Sequence, residues 1–126
     1  MTEQEKQNIA TVRKAYQDQA GGDVIHPNII WHVSGNNPVS GVYKGVKAYR
    51  EEMISRMGPI EEWIIDVEDV MVNGNMAVAS LRLRGLRKNH RIEMAAAHVL
   101  RVEGGKVVEG WGFAEDQDVL DEFFSS

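Results

Sequence analysis

Residues 98–113 read HVLRVEGGKVVEGWGF, two β-rich runs on either side of Glu103-Gly104-Gly105-Lys106. Glycine tolerates the positive φ that a two-residue hairpin turn demands, so the stretch predicts a β-hairpin. His98 lies in its first strand, and Trp111 and Phe113 close its second. A titratable imidazole beside two large aromatics on a rigid scaffold is a common way to furnish a small pocket.

Working outward from this hairpin, Asn73-Gly74 and Lys88-Asn89 supply two more turns of the same kind. They predict strands over Trp63–Val72, Met76–Leu86, Arg91–Val102 and Val107–Phe113, an antiparallel meander. The first half reads differently. Thr2 and Glu5 have capping-box spacing, which predicts a helix from Glu3 to Ala20. Its Ile9, Val12, Tyr16 and Ala20 share a face, and Gly21-Gly22 stops it. Asp23–Pro27 has room only for a turn or a very short helix. Asn28–Ser34 is β-rich and predicts a strand. Tyr43–Met57 predicts a helix with Val46, Tyr49, Met53, Ile54 and Met57 in one stripe, ended by Gly58-Pro59. Asp116–Phe124 predicts a last short helix, with Asp116 as its N-cap. Helices followed by a meander predict an α+β fold, a mostly antiparallel sheet with helices on one face.

Composition sets the class. One domain, residues 1–126, is expected from the length. The apolar fraction of 43% and charged fraction of 26% are ordinary for a globular protein. With no cysteine there is neither a disulfide framework nor a thiolate metal site. No apolar run approaches the roughly 18 residues of a membrane span, and no signal segment is visible, so the expected location is the cytoplasm. A net charge of −5 argues against nucleic-acid and anionic-membrane partners. Arg82, Arg84, Arg87, Lys88, His90 and Arg91 read as a solvated, charged strand face. No HxH or HxxxH spacing suggests a metal, and no phosphate-binding loop or nucleophile motif suggests a cofactor.

Several pieces, in this order and spacing, resemble the nuclear transport factor 2-like superfamily. They are Tyr16…Gly22-Asp23, Ile30-Trp31-His32-Val33, Ser40-Gly41…Gly45 and His98…Gly105-Lys106-Val107-Val108-Glu109…Trp111. Within it the chain resembles the SnoaL-like polyketide cyclases and ketosteroid isomerases. The resemblance covers nearly the whole chain. It implies a cone-shaped (cystatin-like) α+β fold, a curved sheet around helices with an apolar pocket at the wide end. It also implies a homodimer through the outer sheet face. As an enzyme the protein is expected to work without a cofactor.

Carried over residue by residue, the resemblance sets His98 near the place of an acidic donor to a developing oxyanion. His32 falls near the place of a carboxylate base, and Tyr16 close to that of a catalytic tyrosine. Both histidines stand where the isomerases carry acids, so this chain departs from that pair. A neutral imidazole can act as base near pH 7, or donate a hydrogen bond in either protonation state. Tyr43, Met53, Met57, Met94, Trp111 and Phe113 are expected as pocket wall that contacts the substrate. Polyketide cyclase-like relatives often have an acid beside the tryptophan, a place held here by Gly112. The segment between Asp23 and Ile29 is shorter than the second helix of relatives by about one turn, at ~3.6 residues per turn.

The expected function is a small-molecule pocket for a hydrophobic, polyketide-like or carbonyl compound. As an enzyme it would be an isomerase, cyclase or dehydratase, with His32 as base and His98 hydrogen-bonding the enolate oxygen. The competing reading is a non-catalytic ligand-binding or dimerisation module. A third reading has both histidines as structural residues bonded within a filled core.

Overall fold

The three turns foreseen in the meander are present. Gly74, Gly104 and Gly105 take positive φ, and so do Lys88 and Asn89, the pattern of tight hairpins whose twist matches that of the strands. The computed structural model describes residues 1–126, apart from the side chains at positions 19 and 20, so the expected packing of Ala20 lies outside the described residues. The elements are α1 (Glu3–Gln17), a 3-10 helix (Gln19–Val24), β1 (Ile25–Val33), β2 (Gly41–Lys44), a π-helical stretch (Ala48–Glu52) running into α2 (Met53–Met57), β3 (Glu62–Asn73), β4 (Met76–Arg87), β5 (His90–Glu103), β6 (Lys106–Ala114) and α3 (Gln117–Ser125).

One six-stranded, curved sheet has the order β2-β1-β6-β5-β4-β3. Every pairing is antiparallel except β1 with β6, which is parallel. The helices cover one face, so the fold is the α+β, cystatin-like one expected. Alternation decides which residues face them. On β4, Ala77, Ala79, Leu81 and Leu83 point inward and are buried. On β3 the same face carries Trp63, Ile65 and Val67, which pack against the two core clusters. One cluster lies between α1 and the sheet, and the other lies under α3, around Phe123 and Phe124.

α1 begins with the capping box. Thr2 Oγ1 accepts from the Glu5 amide at 3.0 Å, and Glu5 Oε1 accepts from the Thr2 amide at 2.9 Å. Glu5 Oε2 also accepts from the Gly74 amide, and Asn8 Nδ2 donates to the Gly74 carbonyl. These bonds fix α1 against the β3–β4 turn. The helix ends at Gln17, three residues earlier than expected, and a six-residue 3-10 helix follows. That stub is all that stands between α1 and β1, where a turn or very short helix was expected over Asp23–Pro27. β1 starts at Ile25, ahead of the expected Asn28, with Pro27 inside a stretch where its pairing with β6 is irregular.

Tyr43 is a correction. It lies in the strand β2, not at the head of a helix. Gly45, at φ +93°, then turns the chain into the helical residues 46–57. Four residues of strand pairing with β1 outweigh the local helical pattern.

On the outer face the charges pair across strands: Arg84 with Asp66, Arg82 with Glu93 and Arg91 with Glu62. Arg87 instead turns to the end of α2 and donates to the Met57 and Pro59 carbonyls. Among the described residues no helix is long and apolar enough to cross a membrane.

Candidate functional site

A cavity of about 410 Å³ lies between the helices and the inner sheet face. Its wall is mostly aliphatic and aromatic: Trp31 and Val33 from β1, Tyr49, Met53 and Met57 from the helical segment, and Leu81, Ala96 and Leu100 from the sheet. Few polar groups reach it. They are Tyr16, Asp18, Ser34, Tyr49, Arg50 and His98.

Tyr16 and His98 meet there. The Tyr16 hydroxyl and His98 Nδ1 are 2.5 Å apart, although 82 residues separate them in sequence. Burial lowers the His98 pKa to about 4, so the imidazole is neutral at pH 7. Burial pushes the Tyr16 phenol up, so it keeps its proton. The phenol has no other acceptor among the described residues, so it gives its hydrogen to Nδ1. That bond leaves the ring proton of His98 on Nε2. Nε2 has no hydrogen-bond partner among the described residues, and it faces Gly112 on the cavity wall.

The His98 ring is held on its other sides as well. Trp31 meets it edge-on, with centroids 4.9 Å apart and planes at 82°. Trp31 also meets Tyr49 at 5.5 Å and 70°. Trp31 sits so deep because β6 offers no side chain at Gly110, its partner in the sheet. A Cβ at Gly110 would lie 2.0 Å from Trp31 Cζ3 and 2.4 Å from Cε3.

At the cavity's edge, Arg50 donates to the Gly22 carbonyl and so ties the π-helical stretch to the 3-10 stub. A π-helical turn re-aims side chains within a helix, and here Tyr49, Arg50 and Met53 all reach the cavity wall. Asp18, just past α1, is the one carboxylate among the lining residues. Phe113 stands at the mouth, 51% exposed.

The structure sorts the expected site residues. Tyr16, His98, Met53, Met57 and Phe113 line the cavity. His32, Tyr43, Met94 and Trp111 do not. Strand alternation explains His32: Trp31 and Val33 point inward, so His32 points outward. There its Nε2 donates to Glu109 Oε2 at 2.8 Å, and its ring stacks on Trp111 at 5.1 Å and 4°. Trp111 is its register partner and therefore shares the outer face. The two histidines thus lie on opposite faces of the sheet and do not face each other. Tyr43 is 1% exposed and fills the core, its hydroxyl donating to the Val39 carbonyl at 2.6 Å. Met94 points inward but is packed in the cluster under α3. Asp116 caps α3 by accepting from the Val119 amide, as expected.

Asp18, Ser34 and Arg50 were missed. Arg50 reaches the wall through a π-helical turn that no period in the sequence announces. Trp31 could have been found, because alternation lets only one of Trp31 and His32 face the core.

The model of the SnoaL-like domain family matches residues 9–110. No curated protein sequence matches the chain. Among solved structures it is similar to a protein of unknown function with a cystatin-like fold from Xanthomonas campestris. The two are 28% identical over 94% of this chain and 98% of that one, with a TM-score of 0.83. Bal32a from a soil-derived mobile gene cassette superposes with a TM-score of 0.85 at 23% identity, over 95% of this chain and 98% of that one. TerC, co-crystallised with polyporic acid, gives 0.81 at 14% identity over 95% and 99%. With the family match spanning most of its length on a shared fold, the chain belongs to the SnoaL-like domain family.

Proposed function

We propose that this protein binds a small apolar molecule bearing an oxygen acceptor, and that His98 Nε2–H receives that oxygen. The observation that carries this is the contact between the Tyr16 hydroxyl and His98 Nδ1, from which the tautomer is assigned. Tyr16 occupies Nδ1, which leaves a neutral N–H aimed into an apolar cavity with no protein acceptor. That N–H is open to the cavity, and a ligand oxygen there gains a hydrogen bond in a mostly apolar setting. TerC, a structure of the same fold, was co-crystallised with polyporic acid, a small organic molecule.

The test compares 1-tetralone with tetralin, two bicyclic compounds that differ in one carbonyl. One hydrogen bond is worth about 1–1.5 kcal/mol, so calorimetry is expected to show tetralone binding about tenfold tighter. His98→Phe keeps a ring and removes the donor, and is expected to abolish the preference. Equal binding of the pair to the wild type, or a preference that survives in H98F, refutes the assignment.

A second reading, an isomerase, cyclase or dehydratase, is favoured by Asp18. It is the one carboxylate among the lining residues, the candidate to take a proton while His98 Nε2–H holds the oxygen. His32 is not the base in this reading, since it lies on the other face.

The outer sheet face fits a second copy of the chain. Val42, His32, Trp111, Val99, Val78 and Met71 are register neighbours and form one row across all six strands. Val42 and Met71, at its ends, are 54% and 51% exposed. Glu109 with Arg101, and the cross-strand ion pairs, flank the row and can meet their own copies about a twofold axis. Light scattering after gel filtration is expected to give a dimer mass for the wild type and a monomer mass for Val99→Lys. A wild type that is monomeric at every concentration would rule the dimer out.

A further inference from the structure

A second, smaller cavity of about 270 Å³ lies between α1 and β3. Arg13, Tyr16 and Gln17 line it from the helix, and Ile65, Asp66 and Val67 from the strand. Tyr16 and Ile65 also line the main cavity, and no other described residue lines both. These two side chains therefore form the partition between the cavities. Its two halves differ. Tyr16 is fixed by its bond to His98 Nδ1. Ile65 is half-buried and held by packing against both core clusters. Branching at Cβ leaves it few χ1 rotamers, so it is a stiff wall where Met53 and Met57 are adaptable ones. Its strand is the edge of the sheet, so no further strand backs it. Across the smaller cavity stand Arg13 and Gln17, both exposed, and long polar side chains do not refill an apolar gap.

We propose that Ile65 is a specificity-determining residue, the stop that sets how long a ligand chain the cavity takes. His98 is on β5 and Ile65 on β3, two strands away, so the stop lies apart from the oxygen site. A chain that runs from His98 toward β3 ends against Ile65. Shortening that side chain joins the main cavity to the groove between α1 and β3. This rests on the small-molecule reading above, but not on its hydrogen bond.

The test is a ladder of unbranched methyl ketones, from 2-pentanone to 2-tridecanone, bound to the wild type, Ile65→Ala and Ile65→Phe and followed by calorimetry. Every rung carries the same carbonyl, so the His98 contribution is common to all. In the wild type, affinity is expected to rise about fourfold per methylene and to level off at the length that meets Ile65. I65A should move the levelling-off point about two carbons longer, since it opens the passage at the partition. I65F fills the same place and should move it shorter, which keeps the proposal falsifiable should I65A fail to fold. H98F should weaken every rung alike and leave the point where it is. A point that neither Ile65 variant moves overturns the proposal, and so does a wild type whose affinity climbs to the end of the ladder. No binding of any ketone to the wild type overturns the small-molecule reading as well. An unchanged ladder in H98F beside a shifted one in I65A removes the donor and keeps the stop.

Discussion

Gly110→Ala is expected to destabilise the protein by roughly 3 kcal/mol or more, the upper range for overpacking in a core. The built Cβ falls 2.0 Å from the ring of Trp31, which is 7% exposed and wedged between His98 and Tyr49. Neither the indole nor the central strand β6 has somewhere to go. Urea unfolding of the variant reads the loss. The cause is checked with a double variant: Trp31→Leu removes the ring, so adding G110A to W31L should cost far less than adding it to the wild type. Additive losses would show that the strand, not the indole, needs the glycine. Because Trp31 also braces His98, G110A should weaken the tetralone preference as well.

The second large effect is a dependence of stability on pH. Burial lowers the His98 pKa to about 4, whereas in the unfolded chain an imidazole titrates near 6.5. As pH falls, the unfolded state therefore takes up the proton first, and stability is lost. The His98 contribution is full above about pH 6.5, declines down to about pH 4, and is then constant, a total on the order of 3 kcal/mol. Glu5, Asp23 and Asp121 also lose stabilising bonds in acid. The Thr2 and Gly74 amides, Lys14, and the Asn37 and Gln117 side chains hold their carboxyls below the usual range. Comparison with His98→Gln cancels those terms. The wild type should lose stability between pH 6.5 and 4.5 more steeply than H98Q, and equal slopes would refute the buried neutral imidazole.

The meander was legible because its signals are local. Asn73-Gly74, Lys88-Asn89 and Gly104-Gly105 mark turns that only particular φ values satisfy. Observed strand ends lie within about a residue of those expected. The capping box and the Asp116 cap were legible for the same reason. What failed depended on partners far along the chain. Tyr43 is in a strand because β1 is beside it. His32 followed a family position instead of the two-residue period, and Trp31, with a glycine waiting on β6, holds the inward place.

The parallel pairing of β1 with β6 sets the order of events during synthesis. Every other strand contact joins neighbours in the chain, so β1 with β2, and later the β3–β6 meander, can form as they emerge. The β1–β6 seam joins residues such as Ile25 and Val107. It must wait until the last strand has left the ribosome, and such late, long-range closure is slow. Until then Trp31 lacks the partner position on β6, Gly110, that leaves room for its ring. The cavity is therefore completed late: a nascent chain that stops before β6 already holds Tyr16 on α1 and His98 on β5, but lacks the wall that β6 and α3 supply through Gly112, Leu120 and Phe124.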